Sequence, residues 1–176
     1  GFVDFDVEFS VILVRAQGGE IRFWDSTLNE HRDGILSRSS LPAGAAIETQ
    51  VDAARTLAAE IATRLDYVGV LTCEFFVGSD APVFNEMAPR VHNSGHWSIE
   101  GAVTSQFENH IRAIAGLPLG STETVAREIE MLNLIGDEAN DLAALLSDGR
   151  GHVHVYGKKQ ARAGRKMGHV TYVGPR

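Results

Sequence analysis

The feature that most limits the possible fold is a pair of strand-like segments separated by a short turn. Tyr67–Val77 and Val83–Met87 are rich in apolar, β-branched and aromatic residues, and residues 78–82 between them contain glycine, serine, aspartate and proline. This pattern predicts an antiparallel β-hairpin. Pairing the residues on either side of the turn places Glu74 directly opposite Glu86.

Two carboxylates in this position need something to offset their repulsion. Side chains directly opposite each other have Cβ atoms about 4.5–5.5 Å apart, and like charges there are destabilising. A shared proton, a basic neighbour or a divalent metal would offset the repulsion, and hard oxygen ligands suit Mg²⁺ or Mn²⁺. The alternative is an exposed hairpin with hydrated acids. In this register Phe84 and Glu86 share one face, and Asn85 and Met87 point to the other.

The remaining periodicities predict an α+β fold, in which an antiparallel sheet is packed by separate helices. Alternating apolar residues predict further strands at Phe5–Val14, Ile21–Trp24, Met131–Ile135, His152–Tyr156 and His169–Val173. Helical spacing predicts helices at Glu48–Leu65, Ile99–Ala115 and Asp137–Ser147. The polar segment between Trp24 and Pro42 indicates a loop. We expect a boundary near Gly120, which divides the chain into residues 1–120 and a small β-rich domain at 121–176.

Composition excludes several classes of protein. No apolar run is long enough to span a membrane, and the single cysteine, Cys73, rules out an internal disulfide framework. The net charge of −7 argues against a nucleic-acid binder. Residues 150–176 nevertheless hold seven basic and no acidic residues, which favours a small anionic ligand. Because the chain begins directly in a strand pattern without Met, we expect it to be a piece of a longer protein.

Further polar residues cluster after the hairpin and near the end of the chain. Arg suits a carboxylate, phosphate or bicarbonate, and His can move protons near neutral pH. The segment that follows Pro89 supplies Arg90, His92, Asn93, Ser94, His96 and Trp97. We expect Trp97 to be a packing residue, and zinc binding by the two histidines is disfavoured because Pro89 and Gly95 argue against a helix. Tyr156–His169 alternates glycine with basic residues, which suits phosphate binding.

Three stretches together resemble one enzyme family. These are Asn85–Trp97, with the string Pro-Arg-Val-His-Asn-Ser-Gly-His-Trp, then Thr104–Ile114, and then Gly116–Gly120. They resemble the N5-carboxyaminoimidazole ribonucleotide synthetases, which are ATP-grasp enzymes of purine biosynthesis. The resemblance covers nearly the whole chain and implies the C-terminal half of an ATP-grasp fold followed by a small β-rich domain.

The resemblance also implies a role for each candidate residue. Glu74 and Glu86 match magnesium-binding acids. The nucleotide-contacting set comprises Glu8 at the ribose, His31, and Asn85 with Glu86 at the phosphates, and Gly1–Val3 match the end of the adenine-binding hinge. Arg90 and His92 match catalytic residues near bicarbonate and the reacting amine. The substrate-binding set comprises Arg90, His92, Asn93, Ser94, Lys158, Arg165 and Lys166, of which Lys158 and Arg165 match the pair that holds the ribonucleotide phosphate.

The implied reaction is carboxylation of aminoimidazole ribonucleotide by bicarbonate, with ATP as co-substrate and carboxyphosphate as the intermediate. The resemblance further implies a cytoplasmic homodimer that binds neither nucleic acid nor membrane. Because the family's N-terminal domain and upstream ATP-binding lysines are absent from the sequence, we expect the chain alone to be inactive. The alternatives are another ATP-grasp carboxylate–amine ligase, a non-catalytic nucleotide-binding module, and an RNA-binding tail.

Overall fold

The structure is a computed structural model that describes residues 7–147 and 149–174. It confirms the α+β class, with an antiparallel sheet that has helices on both faces. The segment Gly1–Val3 and the beginning of the strand predicted from Phe5 lie outside the described residues. No helix in the described part of the chain combines the length and the apolar character needed to cross a membrane.

Within the described residues the sheet contains nine strands, and all the pairings between them are antiparallel. They are β1 Glu8–Arg15, β2 Ile21–Phe23, β3 Thr27–Arg32, β4 Ile35–Leu41, β5 Gly69–Phe76, β6 Val83–Ala88, β7 Ile129–Ile135, β8 His152–Val155 and β9 Lys166–Val173. Their order is β6-β5-β1-β3-β4-β7-β9-β8, and β2 pairs with the end of β1. β6 lies at one edge of this order, and the polar loop that follows it reaches β7, where Asn93 bonds to Asn133.

The helices are mostly short. They are α1 Ala45–Glu48, α2 Val51–Arg64, α3 Ser98–Gly101, α4 Gln106–Ile114 and α5 Leu142–Leu145, with 3₁₀ turns at Asn93–Gly95 and Gly136–Ala139. Ala54, Ala58 and Ala62 form the buried stripe of α2. Because alanine has no bulk beyond Cβ, this stripe lets the helix lie close to the sheet.

Alternate residues of β1 build two separate cores. Phe9, Val11 and Leu13 pack in the cluster that contains the α2 stripe. Ile12 and Val14 pack on the opposite face in a second cluster, which includes the predicted packing residue Trp97, here fully buried. A strand buried on both faces explains why β1 reads as a nearly continuous apolar run.

The prediction of a loop between Trp24 and Pro42 is wrong, because this segment forms the β3–β4 hairpin. Asp33 and Gly34 form its turn with positive φ values of 52° and 73°. The strand pattern is hidden in the sequence because buried positions of the hairpin are polar. Asn29 and Ser39 are 4% and 0% exposed and bond to each other across the two strands.

Three predicted helices also differ in extent from those in the structure. The helix expected at Ile99–Ala115 is divided into α3 and α4, because Ala102 bridges Thr124 and Ser105 caps the new helix by accepting a hydrogen bond from Glu108 N at 3.1 Å. The acidic helix expected at Asp137–Ser147 is a 3₁₀ turn followed by α5. The helix expected at Glu48–Leu65 begins later, and α2 covers most of it.

The sheet continues across the predicted domain boundary. β4 pairs with β7 over Arg38–Leu41 and Ile129–Leu132, so strands from both sides of Gly120 belong to one sheet. A third, smaller apolar cluster, containing Leu134, Met167 and Val170, lies among the later strands. The division into residues 1–120 and 121–176 stays a prediction.

Candidate active site

A cleft of about 480 Å³ collects charged residues from strands that are far apart in sequence. Glu8 from β1, His31 from β3, Glu74 from β5, Asn85 and Glu86 from β6, His92 from the following loop and Lys166 from β9 all line it. Seven of the residues predicted from sequence to act in a site therefore share one cavity. Arg90, Asn93, Ser94, Lys158 and Arg165 are outside its lining.

The predicted register of the acids is present. Glu74 and Glu86 are direct partners across β5 and β6. Glu74 is 7% exposed, whereas Glu86, on the edge strand, is open to solvent. One wall of the cleft therefore consists of two facing carboxylates, of which the deeper one is nearly removed from water.

A β-bulge overturns the predicted facing of Asn85. The register shifts between Glu74 and Phe75, so that Phe75 pairs with Phe84 rather than with Asn85. The two phenyl rings meet edge to face at 5.7 Å on the α2 side of the sheet. The extra residue in β6 brings Asn85 to the same cleft as Glu86. The prediction that Phe84 shares a face with Glu86 is wrong for the same reason.

Burial and mutual repulsion raise the proton affinity of the acids. The pKa of Glu74 rises to about 7, chiefly because of burial and then because of the Glu8 and Glu86 charges, with Lys166 acting in the opposite direction. Burial followed by the charge of Glu86 also raises the pKa of Glu8, while a hydrogen bond from Asn85 opposes this. The cleft thus concentrates negative charge that the protein alone compensates poorly.

Two histidines lie against these acids as neutral rings. His31 Nδ1 is 3.3 Å from Glu8 Oε2, and His92 Nδ1 is 3.6 Å from Glu74 Oε1. Burial is the main cause that lowers the pKa of both histidines, to about 4 for His92, with Arg90 as the next cause there. Because the pKa of His92 falls to about 4, its ring is neutral near pH 7 and this contact is not an ion pair.

Polar residues that the sequence prediction missed form a chain of hydrogen bonds that ends at Glu74. Ser10 Oγ donates to Glu74 Oε1 at 3.5 Å, and Asn29 Nδ2 donates to Ser10 Oγ at 2.7 Å. Asn29 Oδ1 in turn accepts from Thr27 Oγ1 at 3.1 Å and from Ser39 Oγ at 2.9 Å. The one available signal was a serine at an inward position of an otherwise apolar strand.

Gln106 at the start of α4 holds the loop that carries His92. Its side chain is fully buried; Oε1 accepts from His92 N at 2.9 Å, and Nε2 donates to His92 O at 2.7 Å and to His96 Nδ1 at 2.9 Å. His92 Nδ1 lies 2.9 Å from Ser94 Oγ. The sequence prediction missed Gln106, for which the only signal was an amide on the inner side of a helix.

Asn93 and Ser94 are built into the wall behind the cleft. Asn93 and Asn133 of β7 form a reciprocal amide pair at 2.8 and 2.7 Å, and Asn133 also donates to Leu36 O at 2.9 Å. Ser94 is fully buried. Their predicted contact with substrate stays a prediction, and the structure adds that Asn93 ties the loop to β7.

Of the predicted cations, Lys166 alone lines the acid cleft. Lys158 Nζ donates to Lys166 O and lies 5.4 Å above the Tyr156 ring. Arg165 donates to Gln160 O at 3.4 Å, and the exposed Arg90 donates to Val91 O at 2.9 Å. These three side chains are therefore bonded to nearby main chain, outside the cavity lined by the acids.

Comparisons with known proteins show the family to which this chain belongs. A model of the ATP-grasp domain matches residues 1–107, and one of the phosphoribosylaminoimidazole carboxylase C-terminal domain matches residues 130–176. The chain belongs to the ATP-grasp family. Residues 108–129, between the two matches, contain the predicted domain boundary.

Several similar curated proteins share a name. An N5-carboxyaminoimidazole ribonucleotide synthase from Brucella melitensis is 51% identical over 177 residues, covering 100% of this ATP-grasp chain and 48% of the relative. The synthase from Pseudomonas aeruginosa is 48% identical and covers 97% of the chain and 46% of the relative. The chain therefore spans about half the length of the curated relatives it matches.

Solved structures show the same likeness. The N5-carboxyaminoimidazole ribonucleotide synthetase from Thermus thermophilus has a TM-score of 0.88 and 48% identity, over 99% of this chain and 48% of its own. The Aspergillus clavatus N5-carboxyaminoimidazole synthase, solved with ADP and 5-aminoimidazole ribonucleotide, has a TM-score of 0.90 and 33% identity, over 99% and 48%. These structures confirm the predicted resemblance and the ATP-grasp fold class.

Proposed function

We propose that the intact protein containing this chain uses ATP and bicarbonate to carboxylate the amine of 5-aminoimidazole ribonucleotide. Bicarbonate would take the terminal phosphoryl group of ATP, which yields ADP and carboxyphosphate. Transfer of the carboxyl group to the exocyclic amine then forms the carbon–nitrogen bond and releases phosphate and a proton. The observation that carries the proposal is the facing pair Glu74 and Glu86 in a cleft beside the His92 loop, and the names of the relatives support the choice of acceptor.

The acid pair fits a magnesium or manganese ion. Ligand atoms of Glu74, Glu86 and His92 all lie within 4.8 Å of one another. Two carboxylates supply the hard oxygen donors that these ions prefer, and the nearby imidazole is acceptable to Mn²⁺. We assign Glu74 and Glu86 as the residues that would hold the ion. Once bound, it would neutralise charge on the nucleotide phosphates.

The other residues of the cleft suit the nucleotide and the anionic intermediate. Glu8 would accept a ribose hydroxyl hydrogen bond, and His31 beside it would contact the same nucleotide. Asn85, brought into the cleft by the bulge, adds a neutral donor near the phosphates. Lys166, which faces Glu74 across the cavity, would attract the transferred phosphoryl group or carboxyphosphate.

The acceptor side of the reaction is assigned to the loop after β6. Arg90 would steady carboxyphosphate with its planar guanidinium group, and His92, held at its main chain by Gln106, would take the proton that the amine loses. Lys158 and Arg165 would hold the ribonucleotide phosphate once their present main-chain contacts are exchanged. We further propose that the intact protein is a homodimer.

The decisive experiment is phosphate release by the intact protein. Release should require ATP, Mg²⁺ and 5-aminoimidazole ribonucleotide together, and it should consume bicarbonate. Release that proceeds equally well with a phosphate-free amine would instead favour another ATP-grasp ligase, and nucleotide binding without any release would favour a non-catalytic module. The test variant is Glu86→Gln, which should lower phosphate release. The matched control is Glu60→Gln, because Glu60 is an exposed acid on α2 whose replacement should leave release unchanged.

A further inference from the structure

A second group of ligating side chains lies under α3, away from the acid pair. His154 of β8 and His169 of β9 are direct cross-strand partners. Their rings stack at 4.6 Å with an interplanar angle of 14°. Glu100 of α3 reaches down to them, and its Oε1 lies 2.6 Å from His154 Nε2. This group shares no residue with the acid pair or with the proposed nucleotide contacts.

The possible ligand atoms of the three side chains lie close together. One ligand atom from each of Glu100, His154 and His169 lies within 4.8 Å of the other two. His169 is 1% exposed, and the Glu100 side chain is 15% exposed. Two imidazoles and one carboxylate at this spacing form a common donor set for a transition-metal ion.

Two atoms of the group are buried without a protein partner. His169 Nε2 and Glu100 Oε2 are both inaccessible to solvent and have no hydrogen-bond partner among the described residues. Buried polar atoms are nearly always satisfied, so a pair of orphans in one cluster calls for an additional bonding group. A hydrogen bond between Glu100 and His154 alone leaves both atoms unpaired.

The ring of His169 is held by a hydrogen bond on its other nitrogen. Its other ring nitrogen, Nδ1, lies 2.8 Å from the hydroxyl oxygen of Tyr156. Such a bond on the far nitrogen holds a ligating imidazole in a fixed orientation and tautomer. Each of the three ligands is thus held by sheet pairing, helix position or a supporting hydrogen bond.

We propose that Glu100, His154 and His169 form a second cation site, selective for a late first-row divalent ion such as Zn²⁺. Zinc accepts two imidazoles and a carboxylate in tetrahedral geometry and leaves one position for water, whereas magnesium prefers oxygen donors alone. The ion would connect α3, which lies within residues 1–107, to two strands of residues 130–176. Its role is to stabilise the contact between these two segments.

The test measures zinc binding in a variant whose acid pair can no longer bind the ion. The full chain carrying Glu74→Gln and Glu86→Gln is stripped with a chelator and titrated with ZnCl₂ alone. About one equivalent should bind, and X-ray absorption should show imidazole nitrogen and oxygen ligands at about 2.0–2.1 Å. Zinc should also raise the thermal midpoint of unfolding.

Three further variants in that background identify the ligands. His154→Ala, His169→Ala and Glu100→Gln should each weaken zinc binding by about a hundredfold or more. Glu100→Gln is the most informative, since its amide oxygen still accepts from His154 and the fold is retained. His152→Ala is the control, because His152 is an exposed histidine on the same strand and its loss should leave the affinity unchanged.

The outcomes that overturn the proposal are equally specific. Absence of saturable zinc binding would show that the orphan atoms are satisfied in another way. Zinc binding that survives both Glu100→Gln and His169→Ala, or that is lost in His152→Ala, would place the ion elsewhere. A circular dichroism spectrum recorded for each variant establishes that the fold is intact.

Discussion

Around the acid pair the two faces of the β1–β5–β6 sheet carry opposite chemistry, although alternate residues of the same strands build both. Further along β1 both faces are apolar, since Ile12 and Val14 join the second core. On the α2 face, residues such as Phe9, Leu71 and Phe75 are fully buried among apolar neighbours. On the cleft face, β1 and β5 instead present Glu8, Ser10 and Glu74. The first face removes apolar area from water, while the second buries charge at a cost, which indicates a face kept for binding rather than for stability.

The strongest way to test this contrast is to neutralise the acid pair. In the intact protein, Glu74→Gln combined with Glu86→Gln should lower phosphate release roughly a thousandfold, because a bound metal contributes several kcal/mol to transition-state stabilisation. The free energy of unfolding should stay level or rise, since two repelling groups are removed. A variant that loses stability and activity in parallel would contradict a binding role for the pair.

A substitution on the α2 face should have the reverse effect. Leu71 is fully buried on β5, and Leu71→Ala should lower the free energy of unfolding by about 2–5 kcal/mol, since it removes apolar contacts and leaves a cavity. Urea denaturation followed by circular dichroism measures the loss. The matched control is Leu57→Ala, because Leu57 of α2 is 37% exposed and should change stability little.

Replacing Gln106 should loosen the loop that carries His92 beside the acid pair. Gln106→Leu leaves the main-chain N–H and C=O of His92 without their buried partners, which should cost about 1–3 kcal/mol of unfolding free energy. We expect KM for the amine acceptor to rise more than KM for ATP, because the displaced loop serves the acceptor. Gln17→Leu, at an exposed position in the turn between β1 and β2, should change neither KM value, and an equal rise in both KM values would count against this assignment.

A smaller effect is expected in the pH dependence of stability without metal. The pKa of Glu74 is about 7 in the folded chain, above its value in the unfolded chain, so the folded state binds more protons in the interval between them. The carboxyl group of Glu74 therefore lowers the unfolding free energy as pH rises from about 4.5 to about 7, whereas His92, whose pKa is lowered to about 4, raises it over most of the same range. Glu74→Gln removes only the first contribution, so its urea midpoints should rise more steeply with pH, or fall less steeply, than those of the unsubstituted chain, while Glu60→Gln should leave the slope unchanged.

Local patterns were sufficient for several features. The turn at residues 78–82 and its apolar flanks predicted the pairing of Glu74 with Glu86. The predicted pairs next to the turn are wrong by one residue, since Val83 pairs with Phe76 rather than with Val77, and the bulge restores the predicted register at the acids. The three- and four-residue spacing of Val51, Ala54, Ala58, Ile61 and Leu65 predicted most of α2. The string from Pro89 to Trp97 was specific enough to indicate the family that the comparisons confirm.

Other features depend on contacts that no local pattern records. Asn85 reaches the cleft because β6 contains a bulge, and a polar strand such as β3 forms because its buried side chains bond to one another. Gln106 meets His92 across 14 residues, and Asn133 meets Asn93 across 40. Polar partners of this kind have no periodicity, since each is chosen by geometry rather than by apolar burial.

The sequence by itself therefore determined the fold class, the acid pair and the family, all of which rest on turn chemistry, periodicity or an uninterrupted motif. Only the tertiary structure decided which residues surround the acids, and it alone brought Glu100 of α3 next to His154 and His169. The physical reason is that short-range order follows from neighbouring residues, whereas the surroundings of a buried charge are set by strands and helices that meet only after folding.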